Sequence, residues 1–356
     1  MSDAALVHWL DEIGDAHHRV VGSKMARLAA LRRQGAVVPD GFAITVNAFE
    51  RFADSSELDA LIEQEIASAR APDDLAGLEE VSARIRMLIE QSPLDDALER
   101  ALADAYEELC FREGTIDLPV AVRSSATGED SSGASFAGQY ESYLGVSGAT
   151  PLIGAVRKVW GSLFAARAIS YRLKRDQHHS ETPMGVGVLR MLHARCAGVG
   201  FSVHPVSKKR DRIVIEGSWG LGEAFVQGLV EPDHIEMDKA DGRAIEYRVG
   251  DKRVVSAYDH GRGIVVEREM PARFRREPCL TAEMIDALWR TIVHIEKHHG
   301  HPVDIEWVIE PHWRPGSPVA VVQVRPVTAF GEAEPAKTSA WNAASYAAKY
   351  GLGIKR

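Results

Sequence analysis

A change of periodicity near residue 180 constrains the fold of this chain more than any other feature. From about residue 47 to 113 apolar residues recur at three- and four-residue spacing, as in 58–71 and 78–91. That spacing predicts amphipathic helices, punctuated by Pro72 and Pro93. A short helix is expected over 4–13, another over 25–34 ended by Gly35, and a turn with a short strand over 37–45. An apolar strand at 118–122, a strand at 141–146 and one long helix over 152–174 complete the first half. After the polar break at 178–183 the runs become short and strand-like: 185–192, 197–203, 212–217, 234–238 and 244–249. A helix over 281–298 and two closing strands, 303–310 and 319–324, end the patterned region. A helix-rich half followed by a strand-rich half predicts an α+β architecture of at least two lobes.

The formal charge of −9, from 51 acidic against 42 basic residues, argues against nucleic acid as the main partner, because such binding is driven by neutralising phosphates. A local basic pocket for a nucleotide is compatible with it. The three cysteines, Cys110, Cys196 and Cys279, are far apart and form neither a disulfide framework nor a zinc pattern. No apolar stretch approaches the ~18 residues of a membrane span, and the acidic N-terminus lacks a signal-peptide core. The expectation is a cytoplasmic protein with no membrane partner.

Four segments carry chemistry. In Asp304-Ile305-Glu306 the side chains alternate, so both carboxylates share one face of a strand while Ile305 and Trp307 face a core. Gln323-Val324-Arg325 repeats the arrangement, with Val322 and Val324 on the apolar face. The turn-rich 311–318 makes a hairpin of the two. Carboxylates and an amide oxygen suit magnesium, and an arginine fork suits phosphate. An exposed sheet face with surface ion pairs is the competing reading. The second segment is Val122-Arg123-Ser124-Ser125-Ala126-Thr127 with its glycine-rich continuation to Gly138 and Gln139. Backbone N–H groups of such a loop can surround phosphate oxygens, although a P-loop spacing is absent. The third, Gly22-Ser23-Lys24, sets a lysine at a helix start, where the positive helix end favours anions. The fourth, Glu216-Gly217-Ser218-Trp219-Gly220-Leu221-Gly222-Glu223, is a tight turn. Its Glu223 is a candidate for ribose or the surroundings of a metal, and a glycine hinge is the plainer reading.

In order, the motifs are GxK, PxGFxxT, VRSSATxEDxxxxSFAGQxxS, WxSLFxxRAxxYR, GVxFSVxP, WGLGExxVQGxVxPD, DIEW and QxRP. Together they resemble the ATP-binding domain of phosphoenolpyruvate synthase, pyruvate phosphate dikinase and rifampicin phosphotransferase, from about Gly22 to Pro326. The resemblance implies an ATP-grasp fold of two lobes with a helical insertion in the first. The lobes would span 1–183, with the phosphate-binding loop, and 184–330, with the hairpin; 331–356 would be a tail and candidate docking segment. It implies ATP and Mg2+, with Lys24, Arg123 and Arg325 on the triphosphate and Ser124, Ser125, Thr127 and Gly138 in the loop folding over it. Glu306 and Gln323 would hold the metal, with Asp304 beside them and Glu223 near the ribose. Many members read adenine with a glutamine where Leu189 stands here, which leaves backbone groups of Met191 and Leu192 for that task.

The implied reaction splits ATP to AMP and places the β-phosphoryl group on a histidine of a swivelling domain, in a segment of the form GGxTSHxA. None of the 14 histidines has that context. The expectation is an ATP-binding subunit that phosphorylates a histidine-bearing partner subunit, as in phenylphosphate synthase, whose β subunit the chain resembles. The alternatives are a fragment of a phosphoenolpyruvate synthase or rifampicin phosphotransferase-like enzyme, a non-catalytic nucleotide sensor, and a free-standing kinase that releases ADP.

Overall fold

The computed structural model describes residues 5–126 and 141–327, apart from 56, 70, 176, 177 and 179–183. These form a mixed α/β protein of two compact units. One takes the chain up to Ala29 and Asp40–Met191. The other takes Ala30–Pro39 and, among the described residues, 192–327.

The first unit comprises β1 (Val7–Trp9), α1 (His18–Arg33, whose last turn belongs to the second unit), β2 (Gly41–Ile44) and α2 (Val46–Ser55). It continues with α3 (Leu58–Ala67), α4 (Leu75–Gln91), α5 (Asp96–Arg112), β3 (Val120–Ala126), β4 (Ser142–Val146), α6 (Ala149–Gly161), α7 (Ala166–Lys174) and β5 (Met184–Arg190). Its five strands run in the order β1-β2-β5-β3-β4, every neighbouring pair antiparallel. Phe42, Ile44, Val122 and Val188 of this sheet join Phe52, Ile85, Leu102 and Trp160 of the helices in one buried core. The rings of Phe52 and Trp160 stack at 5.2 Å. Each such buried side chain contributes roughly 1.5–3 kcal/mol relative to exposure.

The second unit comprises β6 (Cys196–Phe201), β7 (Arg212–Trp219), α8 (Glu223–Val226), β8 (Asp233–Asp238), β9 (Ala244–Arg248), β10 (Val254–Asp259) and β11 (Ile264–Glu269). α9 (Ala282–His299), β12 (Val303–Ile309) and β13 (Ala320–Pro326) complete it. Six strands order as β13-β12-β6-β7-β8-β9, and β10 and β11 form a separate hairpin. Thr281 caps α9 by accepting from Met284 N, and Gly300, with φ 70°, ends it in the left-handed conformation. The apolar stripe of α9, including Leu288, Ile292 and Ile295, is buried. Two glycines of β6 make room on the apolar face of the sheet. A Cβ at Gly200 would lie 2.7 Å from Ile292 Cδ1, and one at Gly198 would lie 2.5 Å from the ring of the fully buried Trp307.

Four elements differ from the sequence expectation. The segment expected as a helix over 4–13 contains β1, because Val7, His8 and Trp9 pair with Ile44, Ala43 and Phe42; sheet pairing overrides a weak helical pattern. The expected helix over 152–174 is two helices. Ser162 turns its hydroxyl onto Val159 O, and Ala165 is extended at ψ 142°. β5, expected to open the second lobe, lies between β2 and β3 in the first unit's sheet. The β10–β11 hairpin was not expected at all. The three cysteines are buried and free, and no helix among the described residues is long and apolar enough to cross a membrane.

One ion pair in the helical layer has a pH signature. Asp95 caps α5 through Ala97 N and Leu98 N and receives Arg51 in a two-pronged bond of 2.7 and 2.9 Å. The Arg51 hydrogen bond holds its carboxyl below the ordinary 3.8. A depressed folded-state value adds stability above the unfolded value, and that stability is lost as pH falls through the folded value. Asp95→Asn keeps a capping oxygen and removes the charge. It should cost no more than about 1 kcal/mol at neutral pH, the pair being partly exposed. The difference from wild type, followed by urea unfolding, should shrink as pH drops below 3.8.

Candidate nucleotide site

In the first unit, the glycine–lysine turn and the start of the serine-rich loop pack directly together. α1 is broken at Gly22, whose φ of 77° and ψ of 168° interrupt the helix. A Cβ at Gly22 would fall 1.6 Å from Ser125 O. Beyond the break Met25 N donates to Ser125 Oγ at 3.1 Å, and Lys24 Nζ donates to Ser124 Oγ at 3.3 Å. Both serines are fully buried, so these hydroxyls face protein groups. Arg123, half-buried, sits in register with Ser142 of β4 and Gly187 of β5. Gly185 and Gly187 admit α1 against the sheet: a Cβ at either would meet Val21 O at 2.8 Å or Met25 Sδ at 2.4 Å. The two remaining loop residues of the sequence reading, Thr127 and Gly138, lie outside the described residues.

In the second unit, β12 and β13 form the expected hairpin. Asp304 lies opposite Arg325 and Glu306 opposite Gln323. Arg325 Nη2 donates to Glu306 Oε1 at 3.2 Å, and its Nε lies 3.5 Å from Asp304 Oδ1. The three charged side chains are 13–17 % exposed, and Gln323 is buried. The expected pairing of Val322 with Val324 on the apolar face does not hold. A bulge after Glu306 pairs Trp307 with Val321, which is fully buried, and Val322 instead packs against the cluster of Leu192, Ala197 and Val308. A bulge inserts one residue and so reverses the facing of those beyond it.

The polar face therefore grades along the strands. Asp304 with Arg325, then Glu306 with Gln323, is followed by the apolar patch of Val308, Ala197, Leu192 and Val322. Among the described residues no group of three or more His, Cys, Asp and Glu is placed to hold a metal. The hairpin instead offers two carboxylates and an amide oxygen. That donor set fits Mg2+, which takes one or two carboxylates and completes its shell with water and phosphate oxygens.

Across the sheet the same rung reads Gln323, Glu306, Val199, Glu216, His234. Glu216 and His234, both buried, are joined by a 2.9 Å hydrogen bond between Oε1 and Nδ1. Sequence reasoning missed this pair. Its only signal is a glutamate directly after the apolar run Ile213-Val214-Ile215. Glu223, nearly buried, begins the short α8. The preceding turn is tied to β10, with Leu221 N donating to Ser256 O at 2.8 Å and Gly220 at φ 71° against the same carbonyl. Met191 N donates to Pro119 O at 2.9 Å, so that N–H is already committed. Met191 ends the first unit and Leu192 begins the second. Leu189 is buried on β5, opposite Gly41 and Ala121.

Residues 18–344 match the family described as pyruvate phosphate dikinase, AMP/ATP-binding domain. The chain is 38 % identical over 327 residues to a probable phosphoenolpyruvate synthase of Methanothermobacter thermautotrophicus, covering 92 % of this chain and 46 % of that protein. It is 36 % identical to the phosphoenolpyruvate synthase of Aeropyrum pernix, covering 91 % and 42 %. It is 37 % identical to that of Escherichia coli K12, again covering 91 % and 42 %. The chain thus spans less than half the length of these relatives. With the family match covering most of its length, the chain belongs to the pyruvate phosphate dikinase AMP/ATP-binding domain family.

Proposed function

We propose that this chain is the ATP-binding module of a phosphoenolpyruvate synthase-like dikinase, with an ATP-grasp fold. It splits ATP to AMP and directs the β-phosphoryl group to a histidine outside these 356 residues. The observation that carries the reading is the hairpin register, which sets Asp304, Glu306, Gln323 and Arg325 on one face and leads that face into an apolar patch. A nucleotide has the same two ends, a charged triphosphate and an apolar base. Lys24 and Arg123 in the first unit and Arg325 in the second serve as phosphate-contacting cations. Glu306 and Gln323 hold Mg2+, which when bound neutralises charge on the phosphate oxygens. Phosphoryl transfer asks mainly for positioning and charge stabilisation, and these side chains supply both.

The acceptor histidine belongs either to a further domain or to a partner subunit, since no histidine here lies in a GGxTSHxA-like segment. The relatives above are phosphoenolpyruvate synthases. That favours an enzyme of this type over the phenylphosphate synthase reading. The retention of Lys24, Arg123, Glu306, Gln323 and Arg325 in the sequence speaks against a silent sensor.

Arg123→Ala tests the assignment. Loss of one positioned cation should lower the rate of AMP formation by about 10²-fold or more. The melting temperature should stay within a few degrees of wild type, because the Arg123 side chain is only half-buried. A variant with the wild-type rate would remove Arg123 from the site.

A further inference from the structure

We infer that Ser125 is a positioning residue that acts on the nucleotide through Lys24, by capping the restarted helix on which Lys24 sits. The inference rests on the nucleotide-site reading above. The break at Gly22 divides α1, and the helix resumes at Ser23. The first N–H groups of a resumed helix have no partner within it. An N-cap side chain ordinarily accepts from the second or third of them. Here the residue in the capping place is Gly22, which has no side chain to offer. Met25 N, the third helical N–H, is met instead by Ser125 Oγ at 3.1 Å, from a strand 100 residues away in sequence.

The arrangement is mutually exclusive with a capping side chain at position 22. Any Cβ there would occupy the space of Ser125 O. Gly22 is thus what allows the strand end to approach, and Ser125 is what replaces the missing cap. Ser124 adds the second contact, accepting from Lys24 Nζ at 3.3 Å. Ser125 is fully buried. Its hydroxyl is therefore spent on the helix that carries Lys24, and its effect on a nucleotide passes through the lysine.

A double-mutant cycle on MgATP affinity, measured by calorimetry on the full chain, tests this. Lys24→Ala should weaken binding. Ser125→Ala should weaken it by about five- to tenfold, as expected for a lost cap. In the Lys24→Ala background the same change should alter affinity by less than twofold, since effects routed through one residue are not additive. Equal weakening in both backgrounds, or none in the wild-type background, would overturn the inference. A Lys24→Ala chain with wild-type affinity would instead overturn the nucleotide reading on which it rests. Should Ser125→Ala fail to fold, Ser125→Cys takes its place in the cycle, with the volume kept and only a weak acceptor. A role confined to stability would lower the melting temperature and leave the coupling at zero.

Discussion

Gly22→Ala is expected to abolish measurable MgATP binding and to destabilise the first unit by about 2–6 kcal/mol. Two independent costs produce that figure. An alanine at φ 77° sits in the left-handed region, at roughly 1–3 kcal/mol for a non-glycine residue. Its methyl would also stand 1.6 Å from Ser125 O and 2.6 Å from Ser125 Oγ. The nearest atom is backbone of β3, which is hydrogen-bonded to β5 over its whole length. Neither neighbour can swing aside as a surface side chain would, and overpacking of this kind adds roughly 1–3 kcal/mol. The helix must therefore back away from the strand, taking Lys24 from Ser124 and Met25 from Ser125. Urea unfolding and calorimetry with MgATP read the two consequences separately. Wild-type affinity in a folded Gly22→Ala protein would show that the close approach does not matter to the ligand.

Lys252→Met should destabilise the second unit by about 3–5 kcal/mol without touching the nucleotide face. Lys252 and Asp233 are both fully buried and form an ion pair, with Lys252 Nζ also reaching Gly250 O at 3.3 Å. Asp233 accepts from Gly250 N at 2.9 Å, Cys279 N at 2.7 Å and the Tyr247 hydroxyl at 3.1 Å. One carboxylate thus gathers the ends of β8 and β9, the loop after β9 and the approach to α9. Burial, with the Asp233 charge adding to it, raises the Cys279 thiol well above its ordinary value, so it stays protonated. Burial, opposed by Arg195 and helped by Asp233, pushes the Cys196 thiol up to about 12. Methionine fills much of the lysine's volume and leaves the carboxylate charge without its counter-ion, and breaking a buried pair in this way costs about 3–5 kcal/mol. Adding Asp233→Asn should recover part of the loss, because it removes the stranded charge. Urea denaturation of the single and double variants checks both statements. A Lys252→Met protein as stable as wild type would refute the clamp.

The parts of this protein legible in the sequence are those where a short period meets a single buried face. Asp304, Glu306, Gln323 and Arg325 could be placed on one side of a hairpin because strand side chains alternate and Ile305 and Trp307 needed a core. The bulge after Glu306 was hidden, since nothing in Val321-Val322 distinguishes the residue that pairs from the one that does not. The β10–β11 hairpin was missed because only Ser256 of its strands is buried, which leaves little hydrophobic alternation to read. Ser124 and Ser125 looked like phosphate ligands in the sequence. Their hydroxyls prove to meet Lys24 and Met25, a contact across 100 residues that local pattern cannot show. The Glu216–His234 pair was likewise invisible, because it depends on the register between β7 and β8.

The central claim is the fate of the phosphoryl groups. The most direct measurement incubates the enzyme in its native assembly with ATP labelled at the β-phosphorus and Mg2+, then separates nucleotides from protein after a single turnover. The account predicts AMP and inorganic phosphate in equal amounts, with the label on protein as an acid-labile, alkali-stable phosphohistidine. It also predicts that Glu306→Ala removes all three products. ADP as the nucleotide product, or label recovered on a residue of this chain, would contradict it.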